Sequence, residues 1–200
     1  MSNRKDKRIP KEKFPFLAGG GEMGKLISKK DWSENKIGPI EFWPVSLRIT
    51  LGIILHSRFP KFLWWGPELI CFYNDAYRPS LGENGKHPGI LGTPAKDAWP
   101  EIWDIIKPQI DQVLHGEGAT WNEETLVPIF RNGKIEDVYW TYSYSPVINE
   151  NGEIEGVLVT CREETKSVDL KRSLADSEKK FKNLVMNSPI GVTILRGPDF

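Results

Sequence analysis

The clearest indication of the fold is the run YWTYSYS, residues 139–145 of a chain of 200 residues. Successive side chains of a β-strand point to opposite faces of a sheet, so this alternation separates an aromatic face from a hydroxyl face. Trp140, Tyr142 and Tyr144 share the aromatic face, and smaller hydroxyl residues share the other. The run therefore predicts a sheet strand whose two faces differ in chemistry.

Two more strands accompany this one along the chain. The predicted strands span residues 119–130, 135–147 and 153–163, and Asn-Gly pairs at 132–133 and 151–152 lie between them. Such pairs supply the positive φ angles that a tight hairpin demands. The three strands are therefore expected to form an antiparallel meander.

The earlier part of the chain predicts a hairpin followed by helices. Short apolar runs at 62–65 and 69–73 flank a Gly-Pro-Glu turn. Residues 74–108 are rich in proline and glycine, so only short helices fit there, the best at 100–106, before a longer helix at 108–114. Strands grouped around one helical block predict an α+β fold and exclude the alternating α/β arrangement.

Both ends of the chain lie outside this sheet. The sequence predicts a flexible basic tail at 1–18 and a helical leader at 19–58, with helices at 22–30 and 45–57 around a connector rich in Trp and Pro. After the last strand, a charged linker helix at 166–185 has its apolar residues at coiled-coil spacing, which predicts a homodimer. The seam residues are Leu170, Leu174, Phe181 and Leu184.

The composition of the chain excludes some classes of partner and indicates the compartment in which the protein is found. Lys and Arg total 27 against 27 Asp and Glu, so the chain has no overall field to hold nucleic acid or an anionic membrane. No run approaches the roughly 20 apolar residues of a membrane span, and the N-terminus lacks the apolar core of a signal peptide. Cys71 and Cys161 form no disulfide framework, so a reducing, cytoplasmic location is expected.

Short motifs recur in a fixed order along residues 59–165. They are FYNDAY at 72–77, LG at 91–92, WPE at 99–101, YSPV at 144–147, NGE at 151–153 and GVLV at 156–159. By these motifs and their order, residues 59–165 resemble a PAS sensory domain, which implies a five-stranded antiparallel sheet with short helices on one face. The leader is similar to one that accompanies a subgroup of sensor histidine kinases. Residues 186–200 resemble the truncated start of a second PAS repeat.

The resemblance implies a function in signalling. The chain would be a non-catalytic input module of a bacterial two-component sensor histidine kinase, relaying a ligand or partner signal to downstream PAS and kinase domains of the same chain. None of His56, His87 and His115 has the setting of the family's phosphoacceptor. A cofactor-free dimerisation or protein-interaction module, and a small-molecule enzyme, are the alternatives.

The resemblance also implies which residues face the central cavity of the domain. Tyr142 and Tyr144 would offer hydroxyl groups to a small-molecule ligand. The alternative is a filled aromatic core without a cavity, because three large rings can close a small domain. The ligand-pocket candidates are Leu63, Trp65, Ile70, Phe72, Trp140, Tyr142, Tyr144, Val157, Val159 and Cys161.

Signal relay is expected at the junction of the last strand with the linker helix. Glu163 and Thr165 stand where the family usually has an Asp-x-Thr motif, and the seam residues of the helix continue the relay. The longer Glu163 side chain can still accept hydrogen bonds. A solvated strand end without an anchoring role is the other interpretation of Glu163.

No cofactor, metal or catalytic residue is expected. Residues 19–26 approach a phosphate-binding loop, but Leu26 stands where a hydroxyl residue is needed. His115 ends its helix and so makes a poor haem ligand, and neither cysteine lies where a flavin adduct would form. The His and Cys residues share no metal-ligand spacing.

Overall fold

The structure, a computed structural model, describes residues 13–186. The chain divides into two compact units, Met1–Glu163 and Glu164–Phe200. Most of the predicted tail and nearly all of the predicted second repeat lie outside the described residues, and the sequence-based domain limits stay a prediction. Residues 13–18, expected in the flexible tail, instead include a short 3-10 helix, Pro15–Leu17, with Leu17 buried.

The first unit contains four α-helices and seven β-strands among its described residues. The helices are α1 (Gly21–Lys29), α2 (Val45–His56), α3 (Ala95–Ala98) and α4 (Trp103–Leu114). The strands are β1 (Lys61–Trp65), β2 (Ile70–Tyr73), β3 (Asn122–Leu126), β4 (Ile129–Arg131), β5 (Lys134–Glu136), β6 (Tyr139–Ile148) and β7 (Ile154–Glu163). The second unit contains α5 (Thr165–Met186).

Five of the strands form one antiparallel sheet in the order β2-β1-β7-β6-β3. Strands β6 and β7 are its longest pair, and short helices complete the mixed architecture. The predicted α+β class with a five-stranded antiparallel sheet is therefore confirmed. Strands β4 and β5 form a separate two-stranded hairpin, whose turn has positive φ at Asn132 and Gly133 as predicted.

Two of the predicted strands were too long. The segments at 119–130 and 135–147 are each divided, because the hairpin of β4 and β5 leaves the main sheet between β3 and β6. Pro128 lies at the first break and cannot donate to a strand ladder, while Glu124 has a positive φ within a register shift. The helix expected at 108–114 begins earlier, at Trp103, and continues through Pro108.

The leader packs on one face of the sheet, which we call the outer face. The Trp32 ring stacks on Phe72 with centroids 5.3 Å apart, and Trp43 meets both rings edge-on. Both indole N–H groups are satisfied, since Trp32 donates to the Ile27 carbonyl at 2.8 Å and Trp43 to that of Gly38 at 2.9 Å. The outer face is thus a filled and hydrogen-bonded aromatic layer.

Buried Asn74 joins the leader to the sheet. Its side-chain oxygen accepts hydrogen bonds from the backbone N–H groups of Lys61 and Tyr77, at 3.0 and 3.1 Å. Its side-chain nitrogen donates to the carbonyl groups of Ile54, Ser57 and Phe59, which lie at the end of α2 and just after it. One amide side chain therefore fixes α2 against the start of β1.

Candidate functional site

A cavity of about 60 Å³ lies on the other face of the sheet, the inner face, in the first unit. The sheet contributes side chains from β1, β6 and β7, and α4, the hairpin and the loops close the opposite side. The wall is mainly aromatic and aliphatic, and none of its residues is Asp, Glu, Lys, Arg or His. The lining residues are Phe62, Trp64, Tyr77, Trp99, Ile102, Ile106, Val127, Ile129, Trp140, Tyr142, Tyr144, Val159 and Cys161.

Half of the predicted pocket residues line this cavity. Strands β6 and β7 have the predicted phase, because Tyr144 pairs with Val159 and Tyr142 with Cys161 on the inner face. Trp140 lies on the same face two residues before Tyr142 and also lines the cavity. Val157 is buried but is not part of the wall.

The other four candidates were assigned to the wrong face. Leu63 pairs with Phe72, and Trp65 pairs with Ile70, on the outer face of the sheet, so none of the four lines the cavity. Their neighbours in sequence, including Phe62 and Trp64, point inward instead. Strands β1 and β2 are apolar at almost every position and are buried on both faces. Their sequences therefore contain no alternation that would show which residues face which side of the sheet.

The helical side of the wall was missed by sequence reasoning. Ile102 and Ile106 lie four residues apart across the start of α4, a spacing that places them on one face. Tyr77 and Trp99 come from irregular segments in which no periodicity exists. Their positions depend on where the chain returns in space, which composition does not reveal.

The tyrosine hydroxyls of the wall are neutral. Burial raises the pKa of Tyr142, although a hydrogen bond from Gln109 opposes that change. The Gln109 side-chain nitrogen donates to the Tyr142 hydroxyl at 2.9 Å, and Asn122 donates to the Gln109 oxygen at 2.7 Å. Burial also raises the pKa of Tyr144 well above its ordinary value. A ligand would therefore meet neutral hydroxyls and aromatic rings.

Two indole N–H groups of the wall residues lack a strong hydrogen-bond acceptor within residues 13–186. They belong to Trp64 and Trp99, which are 4% and 2% exposed. The Trp64 N–H has only the Cys71 thiol opposite it in the sheet, which is a weak acceptor, and the Trp99 N–H has no partner among these residues. A buried donor without a partner costs about 1–3 kcal/mol. The tryptophan donors of the inner face are thus less well satisfied than those of the outer face.

The cysteines are poor nucleophiles. Burial raises the pKa of Cys161 to about 12, although the nearby Lys61 ammonium opposes the change. Burial raises the pKa of Cys71 as well. Because the thiolate is the reactive form, both side chains serve as small apolar residues at neutral pH.

A largely buried ion pair holds two parts of the cavity wall together. The Lys86 ammonium lies 3.0 Å from one Glu101 carboxylate oxygen and 4.7 Å from the centroid of the Trp99 ring. The other Glu101 oxygen accepts a hydrogen bond from the backbone N–H of Phe130 at 3.0 Å. Trp99 and the β4 residue Ile129, both in the wall, are therefore tied to one charged pair.

The same hairpin reaches the end of the last strand. The Arg131 guanidinium donates two hydrogen bonds to the two carboxylate oxygens of Glu163, at 2.8 and 2.9 Å. It also donates to Glu136 at 2.8 Å, and these two carboxylates raise the pKa of Arg131. Glu163 thus has a defined bidentate partner at the last residue of β7, two residues before Thr165 begins α5.

The linker helix of the second unit carries the predicted seam on its surface. Leu170, Leu174, Phe181 and Leu184 are between 60% and 73% exposed. They lie on a 22-residue helix that is otherwise strongly polar. Large apolar side chains at coiled-coil spacing on an exposed helix are typical of a helix that pairs with another.

The glycine-rich segment that approaches a phosphate loop is used for packing. The Asp75 carboxylate accepts hydrogen bonds from the first amides of α1, Glu22 N at 2.7 Å and Met23 N at 3.1 Å, where a phosphate would bind. A Cβ on Gly21 would lie 1.9 Å from Asp75, and one on Gly24 would lie 2.7 Å from the Leu17 carbonyl. Close approach explains both glycines without a nucleotide.

The described residues contain neither a cluster suited to a metal ion nor a helix suited to a membrane. Among residues 13–186, no three His, Cys, Asp or Glu side chains are grouped so that they could hold a metal ion. No helix in that part of the chain is long and apolar enough to cross a membrane. His115 caps the C-terminal end of α4 and is not part of the cavity wall.

Comparison with solved structures finds PAS domains. The PAS domain of BvgS from Bordetella pertussis is 17% identical, with a TM-score of 0.47, over 68% of this chain and 99% of that chain. A sensory box sensor histidine kinase from Vibrio cholerae is 20% identical, with a TM-score of 0.39, over 58% of this chain and 88% of that chain. A PAS domain from Colwellia psychrerythraea is 13% identical, with a TM-score of 0.43, over 60% and 98% of the two chains.

Comparison of the sequence with the models of known families identifies the family of the chain. No curated protein matches the chain. A family model described as the PAS fold matches residues 70–169, from the start of β2 into α5. That match covers half of the chain and includes most of the cavity wall together with Arg131 and Glu163. The chain belongs to the PAS fold family, whose fold is that of a sensory module.

Proposed function

We propose that the chain is the input module of a two-component sensor histidine kinase, which detects a small ligand or a partner and relays its presence through α5. The observation that carries this proposal is the double role of the segment at 127–131. Val127 and Ile129 line the cavity, and Arg131, two residues further, holds Glu163 at the end of β7.

A change in the cavity has a short covalent route to this ion pair. An occupant that displaces Ile129 moves β4, and Arg131 is the last residue of that strand. Because a bidentate Arg-carboxylate pair demands specific geometry, a small displacement of the guanidinium strains or breaks it. The expected consequence is a change in the conformation of β7 where the chain continues into α5.

The relay would then be a shift between two populations. A ligand that binds one arrangement of the hairpin more tightly favours that arrangement in proportion to the difference in affinity. The exposed seam of α5 would transmit the conformational change of β7, because the paired helices of a homodimer can alter their register or twist. The domains that respond to the altered pairing of α5 would be downstream PAS and kinase domains of the same chain. The cytoplasmic location stays a prediction.

The size of the cavity limits the occupant. Small-molecule pockets commonly enclose about 300–1,000 Å³, whereas this cavity has about 60 Å³. A haem or flavin would require large movements of the wall, and no residue described here is placed to anchor either. We therefore propose that no large cofactor is resident and that the signal is a small neutral molecule or another protein.

A cofactor-free module for dimerisation or protein interaction is the second candidate. The small, mainly aromatic cavity favours it, because such a core can serve stability alone. A small-molecule enzyme is a weaker candidate, since the wall offers neutral hydroxyls and a thiol whose pKa is about 12. Response to cavity filling separates these functions from ligand sensing.

The test joins the chain, through α5 in continuous heptad register, to a histidine kinase core without its own sensor. Val127→Phe fills much of the cavity and mimics an occupant. We expect it to change autophosphorylation at least about twofold, and Arg131→Gln to abolish that response. Lys134→Gln is the matched control, because this 72%-exposed lysine of the same hairpin does not contact Glu163.

Two outcomes would count against the sensing role. If Val127→Phe leaves autophosphorylation unchanged while the protein stays folded, the cavity does not report to α5 and the interaction module is favoured. If Val127→Phe acts equally with and without Arg131→Gln, the signal leaves the cavity by another route. Circular dichroism of each fusion protein supplies the control for folding.

A further inference from the structure

Three tyrosines contribute hydroxyl groups to the wall of the inner-face cavity. Tyr142 and Tyr144 come from β6, with ring centroids 5.2 Å apart, and Tyr77 comes from the loop after β2. The Tyr77 ring stacks on that of Trp140, with centroids 6.4 Å apart. All three tyrosines are more than nine-tenths buried. Polar hydroxyls therefore lie in a wall that is otherwise mainly aromatic and aliphatic.

Two of these hydroxyls form no hydrogen bond within residues 13–186. Tyr142 accepts a hydrogen bond from Gln109, whereas the hydroxyls of Tyr77 and Tyr144 have no such partner in that part of the chain. Burial raises the pKa of both Tyr77 and Tyr144 well above the ordinary value, and nearby groups that include Cys161 add to the change. Because buried polar side chains are usually hydrogen-bonded, two buried hydroxyls without a partner indicate an occupant of the cavity.

We propose that the ligand of this cavity is a small uncharged carbonyl compound, whose oxygen accepts hydrogen bonds from the Tyr77 and Tyr144 hydroxyls. The assignment rests on the proposed sensing function and names the chemistry of its ligand. A carbonyl oxygen has two lone pairs, so it can accept from two hydroxyls at once. The alkyl groups beside the carbonyl would pack against the aromatic and aliphatic part of the wall.

The chemistry of the wall favours a neutral acceptor over other small molecules. A carboxylate or an ammonium would be buried without a charged partner, because the wall contains no Asp, Glu, Lys, Arg or His. A hydrocarbon would leave both hydroxyls without a partner, and that costs binding free energy. The Cys161 thiol keeps its proton, since burial raises its pKa to about 12, so it does not attack a bound carbonyl group. The complex is therefore non-covalent.

The volume of the cavity sets the size of the ligand. An apolar cavity of about 150 Å³ in another protein holds benzene, so the cavity of about 60 Å³ found here accommodates roughly three to five non-hydrogen atoms. Acetone is in this range. Isobutene has nearly the same shape as acetone but carries a CH₂ group in place of the carbonyl oxygen. The two molecules therefore form a matched pair of probes that differ in the hydrogen-bond acceptor.

The test follows saturable binding of acetone and of isobutene to the full chain by NMR chemical shifts. We expect the wild type to bind acetone at least about tenfold more tightly than isobutene. Tyr77→Phe and Tyr144→Phe should each weaken acetone binding at least about threefold and leave isobutene binding unchanged. Tyr139→Phe is the matched control, because Tyr139 lies on β6 but is not part of the cavity wall. Val127→Phe should abolish binding of both probes, which places them in the cavity.

Failure of this assignment is distinguishable from failure of the sensing function. Equal affinity of the wild type for the two probes would overturn the carbonyl assignment and leave a cavity that binds ligands. Folded Phe variants that lose affinity for both probes alike would also overturn it, since the hydroxyls would then only shape the wall. Binding of neither probe would overturn it as well, and the sensing function would then be decided separately by Val127→Phe in the kinase fusion.

Discussion

The two faces of the sheet are both lined by tryptophans, yet they are built differently. On the outer face, Trp32 and Trp43 pack against Phe72 and each donates its N–H to a backbone carbonyl. On the inner face, Trp64 and Trp99 are similarly buried and their rings border a cavity, but among the described residues the Trp64 N–H has only the weakly accepting Cys71 thiol and the Trp99 N–H has no partner.

The difference indicates that the two faces have different roles, one in stability and the other in conformational response. A filled layer whose indole donors are satisfied gains packing and loses little to unmade hydrogen bonds, so it contributes stability. A layer with a cavity, one weakly bonded indole donor and one unpartnered indole donor gives up stability and keeps room to adjust. The outer face therefore holds the leader in place, while the inner face is the part of the sheet that can respond.

The largest effect is expected where the outer layer is attached to the sheet. Asn74→Ala removes five hydrogen bonds and leaves several buried backbone groups without partners. The loss should be about 3–5 kcal/mol of unfolding free energy, measured from urea midpoints. Asn149→Ala, in the exposed turn before β7, should cost much less. Similar losses for both variants would show that Asn74 does not join the leader to the sheet.

A matched pair of substitutions compares the two faces directly. Trp43 and Trp99 are 1% and 2% exposed, so replacing either by phenylalanine removes similar buried area. Trp43→Phe also loses a hydrogen bond and should cost about 2–3 kcal/mol. Trp99→Phe removes an unsatisfied donor and should stay within about 1 kcal/mol of the wild type. Equal losses in chemical denaturation would contradict the division between the faces.

Alkaline pH should weaken the inner face. The Cys161 thiol has a folded-state pKa of about 12, raised from an ordinary value of 9.0, so the native state keeps its proton after the unfolded state has lost it. The contribution is complete below about pH 9 and falls by about 1.4 kcal/mol per pH unit above it, as pH approaches 12. Urea midpoints of Cys161→Ala should fall less steeply over this range; parallel curves would remove Cys161 as the cause.

The smallest of these effects concerns the start of α1. Asp75→Asn weakens the cap on the Glu22 and Met23 amides and should cost about 1 kcal/mol, because an amide oxygen is a weaker acceptor near a helix N-terminus. Hydrogen exchange should accelerate in α1 and stay unchanged in β6. Acceleration in both elements would mean that the leader and the sheet are not separable.

The sequence predicted most of the sheet but only part of the site. Strand β6 alternates clearly, so the inward direction of Trp140, Tyr142 and Tyr144 could be inferred. Strands β1 and β2 are apolar throughout, and there the assignment of Leu63 and Phe72 to the cavity was wrong. Periodicity gives the face of a strand only where the two faces meet different surroundings.

The contacts between distant segments could not be predicted at all. Arg131 lies in a charged hairpin and gave no signal distinct from any exposed turn, although its partner Glu163 was singled out by resemblance. The pair forms because the hairpin of β4 and β5 leaves the main sheet, so that a residue of β4 reaches the end of β7. A single sequence carries no record of such closeness in space.

The most direct test of the responsive inner face is a screen for binding to it. A library of small neutral fragments is added to the wild type and to Val127→Phe, and the thermal midpoint of each mixture is measured. Binding to the native state alone raises the midpoint. We expect some fragments to stabilise the wild type and to have no effect when the cavity is filled. Fragments that stabilise both proteins equally, or none at all, would contradict it.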